Sequence, residues 1–489
     1  MLQKEYSFMS NSLREKSIQS FVWKTGQSVC TLGMTFLIQL LLARILIPED
    51  FGIIAITSVF LVLANTIIDT SFSSSVIQRE ALDQKLLSSI FYANLVLSLG
   101  VYALLFFSAT FIAEFYNKPI LIPILRVQGL RVMISGLYSI PQAFLNRKMK
   151  FKTLFFCSFI GTVGQAVIGF TMALSGAGVW ALVVSTLAAS AISGIAMIVV
   201  ERWKPMLFFS YSMVRETLSF SSKVLAIRVV RKLYYNIRTL AVGKVYDMEI
   251  SGYFNKGFQF PSTAMTIVDG SLTSVAFASL SRLQNDRERL LASLRQYVRV
   301  SMFVCIPLMA GMALIARPMV MVLLTEKWAG CVPFIQIICL NQMLIPLNVK
   351  TTAFEALGKS DISMKLHVSG VGISLVILAC TIPFSPIVMT AGGVLATLFL
   401  QIGIAVAARK TVGYGYMDQL WDGLCGLIPT LAMCVAIVAL SFLHISDILL
   451  LLLQLSVGFI VFITVCILTK DKVFFLLLGI VKKKLKGKK

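Results

Sequence analysis

Thr66-Ile-Ile-Asp-Thr-Ser-Phe-Ser-Ser74 and Thr266-Ile-Val-Asp-Gly-Ser-Leu-Thr-Ser274 lie 200 positions apart, agree at five of nine residues and carry similar residues at three more. The same offset pairs Arg44 with Lys244, Glu49 with Glu249 and Gly52 with Gly252. A second echo, at a slightly different offset, sets Ala143-Phe144 against Ala353-Phe354, each pair followed by a basic turn. A chain built from two equivalent halves, in a membrane setting, handles its substrate between the halves. The surroundings of the repeat establish that setting.

Of the 489 residues, 57% are hydrophobic and only 13% charged, and the mean hydropathy is +0.86. These values lie far from those of ordinary soluble domains. Apolar stretches of spanning length, about 20 residues, recur along the whole chain. They predict an all-α polytopic membrane protein of about fourteen helices, near 19–44, 51–73, 86–111, 121–144, 153–175, 178–200, 216–242, 251–278, 296–316, 330–356, 361–380, 387–408, 420–442 and 448–469. The fourth, seventh and eighth carry the most polar and charged residues. Six spans per repeat is an even number, so both halves run in the same sense across the bilayer, related by an axis along its normal. The expected organisation is an N-lobe over residues 1–205, a C-lobe over 206–410, and two further spans with a basic tail over 411–489.

The formal net charge of +22 is not gathered in a nucleic-acid-binding domain; the basic residues sit in alternate connections. Arg79 and Lys85, then Arg147, Lys148, Lys150 and Lys152, then Arg202, Lys204 and Arg215 occupy every second one. Arg282, Arg287, Arg289 and Arg295, then Lys359 and Lys365, then Arg409 and Lys410 continue the series, with Lys4, Arg14 and Lys16 before it and eight lysines from Lys470 onward after it. The opposite connections hold Arg44, Lys118, Lys244, Arg317 and Lys327. The positive-inside rule places both termini in the cytoplasm. The polar stretch ahead of the first span argues against a cleaved signal peptide, and the Lys482–Lys489 run is suited to anionic headgroups.

The chemistry concentrates in the spans that hydropathy marks as weakest. Lys223, Arg228, Arg231, Lys232 and Arg238 fall in one half of the seventh span at 100° per residue, with Tyr234 and Tyr235 in the same arc. Each Arg or Lys at the centre of a bilayer costs about 2.5–3.5 kcal/mol, so this face is expected to line a water-filled cavity. Arg126 and Arg131 in the fourth span, with Gln128 between them, extend the cationic set. Lys24, Lys223, Arg299 and Lys350 lie near cytoplasmic span ends, where snorkelling accounts for them. Surplus positive charge in a cavity expects an anionic ligand, and Arg grips phosphate oxygens bidentately. Acids at membrane depth are few: Asp69 and Asp269 in the repeated motif, and Glu355. The two aspartates read either as helix-end hydrogen-bonding devices or as an ion-coupling or gating pair. Pro48-Glu49-Asp50 reads as the N-terminus of the second span, with acids favoured by the helix dipole.

Other chemistry falls away. Gly358-Lys359-Ser360 lacks the upstream glycine of a phosphate-binding loop. His367 and His444 offer no triad or metal geometry, and the nine cysteines show no CxxC spacing. No cofactor, metal or catalytic residue is expected, and an enzyme is not.

The runs Ala43-Arg-Ile-Leu-Ile-Pro-Glu-Asp-Phe-Gly52, Asp69-Thr-Ser-Phe-Ser-Ser-Ser-Val-Ile-Gln-Arg79, Asn146-Arg-Lys-Met-Lys-Phe151 and Gly252-Tyr-Phe-Asn-Lys256 resemble signatures of the bacterial lipopolysaccharide/O-antigen (polysaccharide) flippases. That family lies within the multidrug/oligosaccharidyl-lipid/polysaccharide exporter superfamily, and the similarity extends over nearly the whole chain. The resemblance implies transport of an undecaprenyl-pyrophosphate-linked oligosaccharide across the bacterial inner membrane by lobes that rock between inward- and outward-open states, driven by an ion gradient. It implies lipid-linked oligosaccharide and membrane lipids as partners, with polysaccharide polymerase and chain-length machinery beside them. On this reading Arg126, Arg131, Arg228, Arg231, Arg238 and Tyr235 bind substrate. A cation-coupled multidrug exporter and a lipid II flippase of the same superfamily remain alternatives; a membrane polymerase or ligase would present a larger outer loop.

Overall fold

The computed structural model describes residue 26 and residues 30–78 and 83–486, and every regular element among them is helical. The first half runs α1 (Cys30–Ile45), α2 (Pro48–Gln78), α3 (Gln84–Tyr116), α4 (Leu121–Arg147), α5 (Phe151–Leu174), α6 (Val179–Glu201), α7 (Tyr211–Val245) and α8 (Met248–Arg282). It continues through α9 (Arg287–Leu314), α10 (Ala316–Leu323), α11 (Val332–Met343), α12 (Val349–Ala356), α13 (Ser360–Thr381) and α14 (Pro386–Val412). The last four are α15 (Tyr416–Gly423), α16 (Leu427–Ser441), α17 (Asp447–Leu468) and α18 (Lys472–Lys486). Lys24, and the side chains of Lys223, Asp69 and Asp269, lie outside the described residues.

Eleven helical stretches among the described residues are long and apolar enough to cross a membrane. They coincide with the expected second to sixth and ninth to fourteenth spans. The first span is described from α1 onward, and α7 and α8, the expected seventh and eighth spans, are not among the eleven. Two spans are broken rather than continuous. The tenth passes through a 3₁₀ turn at Ile345–Asn348, where Pro346 removes a backbone donor. The thirteenth divides into α15 and α16 at Gly426, which adopts φ +79°.

Helix ends follow local chemistry. Pro48 begins α2 with Glu49 and Asp50 in its first turn, as the sequence indicates. Asp83 caps α3 by accepting from the Lys85 amide at 3.2 Å, and Asp286 caps α9 through the Arg289 amide at 3.1 Å. Ser385 and Pro386 open α14, and Gly413, at φ +80°, closes it.

The chain forms two compact units, Met1–Gly252 and Tyr253–Lys489. In the first, α3 pairs with α4 and α5 with α6, while α2 packs against both α4 and α7. Lipid supplies no hydrophobic drive for helix association, so close approach and polar bonds carry it. Asn94 donates to Ser139 at 2.8 Å, and Ser135 to Asn65 at 3.3 Å, joining α3 to α4 and α4 to α2. In the second unit α13 pairs with α14 and α16 with α17, and α9 packs against α11, α15, α16 and α18. One of its cores gathers Leu290, Leu294 and Val298 of α9 with Phe354 of α12 and Tyr414.

The 200-residue repeat has a direct structural expression. The break between α1 and α2 and that between α7 and α8 fall at the same offset, with Pro48 and Met248 as first helical residues. Gly52 and Gly252 then face one another's helix. A Cβ on Gly52 would collide with the Met248 carbonyl, and a Cβ on Gly252 with the Pro48 carbonyl. The two helix starts therefore cross backbone to backbone, each repeat giving the glycine that admits the other. Gly52→Ala is expected to destabilise the protein by about 1–3 kcal/mol, the usual effect of overpacking. Gly100→Ala, with nothing within 4 Å of the added carbon, should lower the melting temperature less; equal melting of the two variants in detergent would contradict the crossing.

Candidate functional site

Helix α7 carries the cationic residues singled out in the sequence. Arg228, Arg231, Lys232 and Tyr235 follow the i, i+3, i+4, i+7 spacing of one helix face, and all four are exposed, Tyr235 at 68%. Among the described residues the side chains of Arg231 and Lys232 make no hydrogen bond or ion pair. The Tyr234 and Tyr235 rings lie 5.5 Å apart, tilted at 55°. Arg238 shares the angular sector but is half-buried, because its end of α7 enters the packed part of the unit. There the Tyr116 hydroxyl donates to the Leu240 carbonyl at 3.2 Å, and Gly243 meets Ile56.

The α4 pair divides. Arg126 is half-buried, its guanidinium 4.1 Å from the Phe106 ring centroid and its Nε donating to the Phe106 carbonyl at 3.4 Å. Arg131 is exposed and its side chain is unpaired among the described residues. Gln128 between them is buried, and its Oε1 lacks a hydrogen-bond donor among the described residues. Helices α2 and α3 each pack against both α4 and α7, so the two cationic helices are held by common neighbours. An exposed, multivalent arrangement of guanidinium, ammonium and phenol groups can bind phosphate oxygens and stack on sugar rings; it offers no nucleophile with a base beside it.

A second polar constellation, in the other unit, corrects the sequence reading. Arg299 and Lys350 were expected to snorkel; both are instead bound by protein groups. Asp422, 1% exposed, accepts from Arg295 Nε at 2.8 Å, Arg299 Nε at 2.5 Å and the Tyr414 hydroxyl at 2.7 Å. Asp418 forms a further ion pair with Arg295 at 2.9 Å. Lys350, 3% exposed, donates to Gln419 Oε1 at 3.0 Å, and the Gln419 amide donates to the Tyr414 carbonyl at 2.8 Å. Burial and the hydrogen bond to Asp422 push the Tyr414 phenol above its ordinary range, so it stays a neutral donor. The geometry explains the correction: α15 turns Gln419 and Asp422 inward, with the exposed Asp418 reaching Arg295 from the helix surface, while Met417, Leu420 and Trp421 are exposed. The one signal in the sequence was the spacing of those three polar residues along one helix face.

No group of three or more His, Cys, Asp or Glu able to hold a metal occurs among the described residues. Asp422→Ala would leave two guanidinium groups without their shared acceptor. The expected loss is about 3–5 kcal/mol, that of a broken buried ion pair, lowered by the partial exposure of Arg299. Tyr414→Phe, which removes one donor of three, should cost about 1.5–3 kcal/mol. Thermal unfolding of the purified variants checks the order; a Tyr414→Phe effect equal to or above that of Asp422→Ala would contradict it.

A family model described as polysaccharide biosynthesis protein matches residues 41–333. The lipopolysaccharide biosynthesis protein WzxC of Escherichia coli (strain K12) is 23% identical over 366 residues, 73% of each chain. The succinoglycan biosynthesis transport protein ExoT of Rhizobium meliloti (strain 1021) is 23% identical over 356 residues, 72% of each. Among solved structures, the lipid II flippase MurJ in an inward closed conformation superposes with a TM-score of 0.73 at 16% identity, over 94% of this chain and 98% of that one. An inward-facing multidrug resistance MATE family transporter gives 0.65 at 15% identity, over 78% and 94%. Both likenesses concern the fold.

Proposed function

The chain belongs to the polysaccharide biosynthesis protein family, and from that premise we propose that it is a flippase for an undecaprenyl-pyrophosphate-linked oligosaccharide, an O-antigen, capsule or exopolysaccharide repeat unit. The observation that carries the reading is the exposed run Arg228, Arg231, Lys232 and Tyr235 on a membrane helix. Facing lipid, three cations would cost on the order of 10 kcal/mol; facing a water-filled path they cost little and attract an anion. A pyrophosphate supplies oxygens in the fork geometry that guanidinium groups match, while the polyprenyl chain stays in the bilayer. Arg126 and Arg131 extend the path on α4, Arg238 lies at its outer end, and Tyr235 offers a ring for sugar stacking.

The working organisation is two six-helix lobes, residues 1–205 and 206–410, with residues 411–489 forming the last two spans and a basic tail. With both termini cytoplasmic in the inner membrane, the lobes alternate access to the two leaflets. An ion gradient drives the cycle, and Asp69 and Asp269 are the candidate coupling or gating pair. The names of the relatives WzxC and ExoT support a role in polysaccharide biosynthesis, and that of ExoT a transport role, with the polymerase and chain-length machinery receiving the product. The fold likeness to a MATE transporter keeps a cation-coupled drug exporter as the second reading. A cationic drug would be repelled by α7, and the most deeply buried acid among the described residues, Asp422, is already held by two arginines and a tyrosine.

The test is leaflet exchange of a fluorescent undecaprenyl-pyrophosphate oligosaccharide in proteoliposomes under imposed proton or sodium gradients. Arg231→Ala is expected to insert and fold normally and to lower the rate about tenfold or more, as the loss of a charged hydrogen bond of roughly 1.5–3 kcal/mol would. Normal exchange by that variant, or efflux of a cationic dye in place of exchange, would overturn the reading.

A further inference from the structure

The connection between α6 and α7, residues 202–210, is non-helical and presents apolar side chains outward. Leu207 is 98% exposed, and Met206, Phe209 and the following Tyr211 are exposed as well. Isolated exposed apolar residues are ordinary, but a contiguous set on a short loop marks a surface that something covers. The loop is built rather than slack. The Gln84 amide donates to the Lys204 carbonyl at 2.8 Å, and the Trp203 indole donates to Gln84 Oε1 at 3.1 Å. The amides of Met206 and Ser210 donate to the hydroxyls of Ser88 and Ser89, at 2.9 and 3.0 Å. Those two serines are fully buried, and each also donates back to a carbonyl of the first turn of α3. Trp203 lies against Phe91 and Phe144, 5.6 and 6.1 Å between ring centroids.

Two features say what the covering surface is. Non-helical backbone is tolerated at membrane level only where its polar groups are satisfied by the protein, and here the amides of Met206, Phe208 and Ser210 all have protein acceptors. The rim is basic: Lys85, Arg202, Lys204 and Arg215 are exposed, with the Lys85 ammonium 5.5 Å from the Phe208 ring. Among the described residues the nearby acids Glu201 and Asp83 are occupied, the first by Lys148 and the second as the cap of α3. Apolar tips inside a ring of cations complement an anionic lipid surface, and the two flanking helices bring the loop to the membrane boundary.

We propose that the α6–α7 connection is a membrane-surface anchor: Met206, Leu207, Phe209 and Tyr211 enter the headgroup layer of an anionic leaflet, whose phosphates bind Lys85, Arg202, Lys204 and Arg215. Because the loop is strapped to α3, the anchor holds that helix end at a fixed depth.

The experiment places a nitroxide at Leu207→Cys in the full chain with Cys30 and Cys380 replaced. Its exposure to a water-soluble nickel complex and to oxygen is read in discs of phosphatidylglycerol with phosphatidylcholine, in phosphatidylcholine alone, and in detergent. The expected result is a several-fold protection from nickel in the anionic discs. Protection should weaken in phosphatidylcholine and be lost from the anionic discs in Arg202→Glu/Lys204→Glu, whose unchanged thermal unfolding reports an intact fold. A label as open to nickel in anionic discs as in detergent would overturn the proposal. So would protection that persists in detergent, which would assign the loop to a second copy or another protein, or protection indifferent to lipid charge.

Discussion

A lone charge is not tolerated in hydrocarbon, and this constraint orders the polar half of the structure. Each charged group on a membrane helix needs a partner or a path to water. Asp422 meets the requirement by partnership: Arg295, Arg299 and Tyr414 close around it, and the neighbouring Gln419 receives Lys350. Arg231 and Lys232 have no such arrangement among the described residues. The contrast separates a cluster that holds α9, α12, α14 and α15 together from a face left open for a ligand.

The repeat supplies the second organising element. Two chain reversals at the same 200-residue offset put Gly52 beside the Met248 carbonyl and Gly252 beside the Pro48 carbonyl. Residues that look conservative in the sequence, a glycine in each of two signature runs, are thereby explained by backbone approach. In lipid such approach replaces the hydrophobic drive that would hold soluble helices together. Within the first unit, the hydrogen bonds of Asn94 to Ser139 and Ser135 to Asn65 act in the same way.

What could be read in advance divides along sequence distance. Pro48-Glu49-Asp50 announces the start of α2 because capping and dipole effects are local, and the helical spacing of Arg228, Arg231, Lys232 and Tyr235 sufficed to place them on one exposed face. Hydropathy located the eleven apolar spans for the same reason. Asp422 was passed over because its arginine partners are 123 and 127 residues away and because it sits where an apolar span begins. Lys350 was misread for a related reason: its acceptor Gln419 belongs to a short helix that hydropathy merges with the following span. Half-burial of Arg238 depends on packing around Gly243 and Tyr116, which helical periodicity does not encode. Nor does hydropathy foretell that Ser88 and Ser89 satisfy the backbone of a loop more than a hundred residues away.

The central claim, that the cationic face of α7 lines an aqueous path for a lipid-linked pyrophosphate, is most directly tested by chemical access. Arg231→Cys and Tyr235→Cys, measured in proteoliposomes against the parent chain, should react with a membrane-impermeant thiol reagent. Undecaprenyl-pyrophosphate oligosaccharide should slow that reaction, and the same lipid without its pyrophosphate should not. Two unreactive positions, or reaction rates indifferent to the pyrophosphate, would contradict the account.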